Sequence, residues 1–171
     1  MIDPNVSAVV TDEMLAAARQ RIGKKYRVSR QWHSAATKDN IQHWAEGIGD
    51  VNPLWVDPEY ARKTGYGSLL APPTFLYSCS EGPLHREAEK GQGGGLPGIH
   101  RVWAGDEWEW FTPIFEGYEI KVTSQLNDIL EHKSNFAGRS FEEITTHTFR
   151  NQYSDLIATR KAHFMATERA T

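Results

Sequence analysis

From residue 99 to residue 168 the chain alternates apolar with polar residues almost throughout, and this alternation limits the fold more than any other feature. The runs "IHRVWAGDEWEWFTPIF", "EGYEIKVTSQLNDILEHKS", "RSFEEITTHTFRNQ" and "LIATRKAHFMATE" are rich in Val, Ile, Thr and aromatic residues. A period of two places successive side chains on opposite faces of a strand, so four strands are predicted. Gly, Asn, Ser and Asp gather in "EGYE" at 116–119 and "NQYSD" at 151–155, where they supply turn chemistry. Short turns between consecutive alternating runs describe an antiparallel meander, one face of which needs a covering layer.

The first half of the chain supplies that layer. "TDEMLAAARQRIG" (11–23) starts on a cap-like Thr11, carries acids in its first turn and spaces Met14, Leu15 and Ile22 helically, which reads as a short amphipathic helix. "YRVSRQW" alternates like a strand. "TKDNIQHWAEGIG" then reads as a helix capped by Thr37 or Asp39, with Ile41, Trp44 and Ala45 on one face and its end at Gly47 and Gly49. "DPEYARKTGYG" places Asp57 at a cap and Pro58 in the first turn, where a missing N–H costs nothing. After Pro72-Pro73 an apolar run through Tyr77 and Cys79 predicts a buried helix entered through a proline turn. "GQGGGLPGIHRV" reads as a loop; without a preceding strand or a following G-x-x-x-x-G-K it is a weak phosphate cradle. Helices followed by an antiparallel meander make an α+β architecture.

Composition excludes several functions. With 19 Lys and Arg against 22 Asp and Glu spread along 171 residues, the net charge of −3 offers no basic stripe for nucleic acid or an anionic membrane. No run of about 18 apolar residues occurs, and the N-terminus lacks the basic start and apolar middle of a signal peptide, so a cytosolic location is expected. The single Cys79 excludes an intramolecular disulfide and reads as a buried, inert thiol. Neither His-x-x-x-His nor Cys-x-x-Cys occurs, so no metal is expected, and no Gly-x-Ser-x-Gly elbow marks a hydrolase. Six Trp and six Tyr exceed what core filling needs, so some are expected to line a pocket or interface.

The chemistry-bearing stretch is "GIGDVNPLWVDPEYA" (47–61). Gly-Asp-x-Asn-Pro is good turn chemistry, so Asp50 and Asn52 read either as turn and cap residues or as members of a site. In that order, with "SLLAPPTF" after it, "WAGDEWEWFTPIFEGYEIKV" at 103–122 and "FRNQYSDLIAT" at 149–159, the chain resembles the MaoC-like hydratases and dehydratases of the hot-dog fold. In particular it resembles the fatty-acid-synthase-like dehydratase domains, named for the N-terminal half of double hot-dog dehydratases. The resemblance implies a single domain over 1–171 with its core at about 23–166. It implies an antiparallel sheet wrapped around a central helix at about 73–88, with an N-terminal helix and an overhanging segment at about 37–66. It further implies dimers joining two such sheets, substrates carried as thioesters of coenzyme A or acyl carrier protein, and no cofactor.

Relatives that hydrate enoyl thioesters use Asp-x-Asn-Pro-x-His. On this chain the Asp falls on Asp50 and the Asn on Asn52, but the His position holds Trp55. Indole has one weakly acidic N–H and no basic nitrogen, so Trp55 can orient a ligand but cannot shuttle a proton. The resemblance places Gly105 and the chain near Thr74 at an oxyanion hole, and Ser78 beside the catalytic pair; a strand bulge and a small buried residue explain Gly105 and Ser78 equally well. His100, between the Gly-rich loop and Gly105, is either a solvated strand-edge residue or a group entering the site from another direction. Arg101, Lys63 and Arg62 are candidate contacts for coenzyme A phosphates or ordinary surface cations.

Two functions follow from different classes. One is an enoyl-thioester hydratase or 3-hydroxyacyl dehydratase, acting as a homodimer or as one subunit of a heteromer whose partner carries the missing His. The other is a non-catalytic structural or acyl-binding subunit. A stand-alone enzyme built on Asp50, His100 and nearby acids, or a hot-dog thioesterase, would be a further variant.

Overall fold

A computed structural model describes residues 9–28, 31–80, 100–133 and 138–168. Its helices are α1 (Asp12–Arg19), α2 (Lys38–Gly47), α3 (Pro53–Val56), α4 (Pro58–Lys63) and α5 (Leu76–Ser80), the last entered through a 3-10 turn at Pro73–Phe75. Its strands are β1 (Lys25–Arg27), β2 (Leu70–Ala71), β3 (His100–Trp110), β4 (Ile114–Phe115), β5 (Lys121–Lys133), β6 (Arg139–Arg150) and β7 (Leu156–Thr167).

Local chemistry sets the helix starts. The Thr11 and Thr37 hydroxyls each accept an N–H three residues on, from Met14 and Asn40. Asp57 Oδ1 accepts the N–H groups of Glu59 and Tyr60 at 2.9 and 3.0 Å, with Pro58 in the first turn of α4. Of the two candidate caps for α2, Thr37 is the one used. The region read as a turn at Asn52-Pro53 is itself the start of α3, because Asn52 Oδ1 accepts the Leu54 N–H and Pro53 already has helical φ.

Among the described residues a five-stranded antiparallel sheet has the order β1-β5-β6-β7-β3, and β2 pairs with β4 separately. β5, β6 and β7 form the expected meander. β3, which precedes them in sequence, does not join that meander through β5 but crosses to the far edge beside β7. The first alternating run also divides: Pro113 cannot donate to a ladder, and β3 and β4 end up in different sheets. The described part of the central helix ends at Ser80, and the rest of its expected span, like most of the Gly-rich loop, lies outside the described residues. The strand expected at 26–32 is described only as Lys25–Arg27.

The inner face of the sheet carries two apolar clusters. In the first, Val122, Phe149 and Ala158 meet Phe75, Leu76 and Cys79 of the central helix and Ile41 of α2, with Trp44, Trp55 and Trp108 packed against it. In the second, Leu126, Ile129, Phe141 and Ala166 meet Val10 and the Leu15 and Ala18 face of α1. Between them, on the same face of β6, stand Glu143 and His147, both buried. Ser124 Oγ lies 2.6 Å from His147 Nδ1, Arg101 Nε 2.8 Å from Glu143 Oε2, and Arg160 Nε 2.9 Å from Asp106 Oδ1. A band of paired polar groups thus crosses the sheet between the two clusters; such groups are tolerated there because each has a partner.

Candidate functional site

The overhanging segment is built from α2, α3 and α4. The Gln42 amide donates to Val56 O at 2.9 Å, binding α2 to α3, while the Trp44 indole N–H donates to Thr74 Oγ1 at 3.2 Å and meets the Phe75 ring edge-on. The segment therefore rests on the first turn of the central helix. Asp50 leaves α2 with its N–H bonded to Ala45 O at 2.8 Å, and its Oδ1 accepts the Asn52 N–H at 3.1 Å. Two consecutive Asx turns, at Asp50 and Asn52, thus set the chain for α3, and each uses one side-chain oxygen. Both residues are half-buried. The second Asp50 oxygen has no assigned role within the turn.

Trp55 lies half-buried against the first apolar cluster. Its Nε1 is enclosed and has no hydrogen-bond partner, and so has His33 Nδ1. Four other enclosed atoms lacking hydrogen-bond geometry, on Asp106, Glu143, Arg160 and His163, lie in ion pairs. Among the enclosed side-chain atoms of the described residues, only Trp55 Nε1 and His33 Nδ1 have neither kind of partner, and a buried unpaired polar group costs about 1–3 kcal/mol.

The central helix brings Thr74 and Ser78 onto one turn. Thr74 is exposed and accepts from Trp44; Ser78 is buried and its hydroxyl donates to Phe75 O at 2.7 Å. Gly105 follows a bulge in β3 between Trp103 and Gly105, with φ 151°, a conformation that side chains rarely adopt. The residue after it, Asp106, accepts a 2.8 Å hydrogen bond from the Tyr77 phenol, so the bulge stands directly beside the central helix. Tyr77 in turn accepts from Trp108 Nε1 at 3.0 Å, and burial pushes its phenol above the usual value.

The remaining candidates are dispersed. His100 opens β3 opposite Thr167, beside Ala166 of the second cluster, whereas Trp55 packs on the first. Arg101 is engaged within the sheet, by Glu143 and by stacking 3.7 Å over Phe164, because a buried carboxylate beside it needs a cation. Its guanidinium is thus already paired, although the residue is exposed. Arg62 and Lys63 are exposed in the last turn of α4. Sequence reasoning passed over His33, which carries no motif; its backbone N–H donates to Ser78 O at 3.0 Å and its ring lies parallel to Phe75, 5.6 Å between centroids.

The profile of the family described as "FAS1-like, dehydratase domain region" matches residues 20–160. The chain belongs to this family of MaoC-like hot-dog proteins. A probable enoyl-CoA hydratase alpha subunit from Thermomonospora curvata is 26% identical over 82% of this chain and 47% of its own length. A UPF0336 protein from Parafrankia sp. is 31% identical over 71% of this chain and 76% of its own. The chain thus spans about half of the first relative and most of the second. A chain of the ChsH1-ChsH2 complex from Mycobacterium tuberculosis superposes with a TM-score of 0.70 at 18% identity, covering 93% of both chains, which establishes the hot-dog fold. No helix among the described residues is long and apolar enough to cross a membrane.

Proposed function

We propose that this family member is an enoyl-thioester hydratase, or 3-hydroxyacyl-thioester dehydratase, working as a homodimer or as one subunit of a heteromer. The observation that carries the reading is the Asp50 turn. Within a family related to enoyl-CoA hydratase subunits, the overhang keeps its acid and its Asn52-Pro53 start, and the turn consumes one carboxylate oxygen while leaving the other. In hydration that oxygen takes a proton from water as the water oxygen bonds to C3 of the 2-enoyl thioester. The enolate charge moves to the thioester oxygen, where N–H donors near Gly105 and Thr74 stabilise it. A second group delivers the proton to C2; the reverse sequence dehydrates.

Trp55 supplies no such proton. Its N–H is enclosed and the ring packs on the first apolar cluster, so Trp55 suits an acyl-pocket wall. β3 supports a dimer: among the described residues it pairs with β7 on one side only, and it carries exposed Val102, Trp103 and Trp110, an open edge that a second sheet would cover. The second reading, a non-catalytic acyl-binding subunit, is favoured by Trp55 alone.

Hydration of crotonyl-CoA and of bulkier enoyl-CoA esters tests this, with the protein alone and with a hot-dog subunit bearing an intact Asp-x-Asn-Pro-x-His. Turnover alone that Asp50→Asn abolishes supports catalysis by this chain. Turnover only with the partner, unaffected by Asp50→Asn, supports the acyl-binding reading. No turnover in any combination overturns the hydratase assignment.

A further inference from the structure

We infer that His33 is a substrate-contacting residue, a neutral imidazole whose Nε2–H donates to the thioester oxygen of an acyl-CoA. The inference rests on the thioester chemistry proposed above and adds a residue that the overhang motif does not contain. Position is the first argument. His33 is fixed by its backbone N–H, which donates to Ser78 O at 3.0 Å, and by parallel stacking on Phe75. Trp44 meets the same Phe75 edge-on and bonds Thr74. The imidazole therefore stands on the turn of chain that carries both Thr74 and Ser78, and the overhang's Trp44 meets that same turn at Phe75 and Thr74.

The second argument is the state of the ring. Nδ1 is enclosed and faces no acceptor or donor. A proton there would be a buried donor without a partner, so the tautomer that fits the proposal carries its proton on Nε2 of this half-buried side chain. Burial first, and then the nearby His43, lowers the pKa below the ordinary value of 6.5, which keeps the ring uncharged at neutral pH. A neutral N–H donor held in place by stacking suits an oxygen that gains charge during the reaction, because it stabilises the charge without giving up its proton. The unpaired Trp55 N–H borders the same apolar cluster as Phe75, so the two unpartnered rings belong to one side of the fold.

Two measurements decide it. In the first, ring nitrogen shifts of His33 are followed by NMR in the wild-type protein while butanoyl-CoA, a saturated thioester that cannot be hydrated, is added. A shift of Nε2 beyond that of the other histidines is expected; an unmoved Nε2 overturns the inference even if the protein hydrates enoyl-CoA. The second compares His33→Ala with His33→Gln, which retains an N–H donor, in whichever assembly turns over crotonyl-CoA. His33→Ala should lower kcat about 100-fold with little change in KM, as loss of one oxyanion donor does, and His33→Gln should recover most of it. A kcat for His33→Ala close to wild type, or equal losses in both variants, overturns the role. If no assembly hydrates crotonyl-CoA, the hydratase assignment fails, and the butanoyl-CoA titration still decides whether His33 meets a thioester.

Discussion

The Tyr77 hydroxyl of the central helix donates a 2.8 Å hydrogen bond to Asp106 of β3, one residue beyond the Gly105 bulge. Asp106 is almost fully buried and also faces Arg160 at 2.9 Å, so one carboxylate joins the helix to two strands. Tyr77→Phe removes one donor and leaves the ion pair, and should cost about 1 kcal/mol. Asp106→Ala leaves the Arg160 guanidinium buried without its anion and should cost about 3–5 kcal/mol. Urea unfolding of the two variants measures the difference, and equal losses would mean that the ion pair contributes nothing beyond the phenol contact.

Asp50 separates turn chemistry from catalysis. Asn retains the side-chain oxygen that accepts the Asn52 N–H, so Asp50→Asn should leave stability within about 0.5 kcal/mol. Asp50→Ala loses the acceptor and should be less stable by about 1 kcal/mol. Thermal unfolding beside the hydration assay reads both quantities, and a large loss of stability in Asp50→Asn would assign the carboxylate to folding.

Cys79 is fully buried, and burial pushes its thiol up to about 12. Thiolate is the reactive form, so iodoacetamide should leave the native protein unmodified at mildly alkaline pH and label it completely in denaturant. Mass spectrometry distinguishes the two. Rapid labelling of the native protein would contradict the burial of this residue in the first cluster.

On the outer face of β6, Glu142 accepts from His163 Nδ1 at 2.7 Å and from His132 Nε2 at 2.9 Å, and these bonds, that of His163 first, hold its carboxyl below the ordinary 4.5. A carboxylate with a lowered folded-state pKa contributes stability that is complete above the unfolded value and lost as pH falls through the folded one. Glu142→Gln should therefore be less stable than wild type at neutral pH, with the gap closing below pH 4.5. Denaturant titrations across that range measure the gap, and one that stays constant with pH would remove Glu142 from the acid response.

Gly105 holds a φ of 151° with nothing within 4 Å of where a Cβ would stand. Gly105→Ala should lose about 1–3 kcal/mol to backbone strain and none to a clash. A variant as stable as wild type would show that the bulge relaxes.

The elements that depend on neighbouring residues were legible in the sequence. Thr11, Thr37 and Asp57 cap helices where they stand, and period-two alternation gives β5, β6 and β7 their faces, because a cap or a pleat is decided within a few residues. The Asp50-x-Asn52-Pro53 order and the Trp at position 55 were equally plain in the chain. Tertiary structure alone decided the rest. It carried β3 past the meander to pair with β7, turned Arg101 onto Glu143, and stacked His33 on a ring 42 positions away. No spacing in the sequence encodes such contacts, because they arise when separate elements bury their apolar faces against one another and polar groups then find partners wherever that packing leaves them.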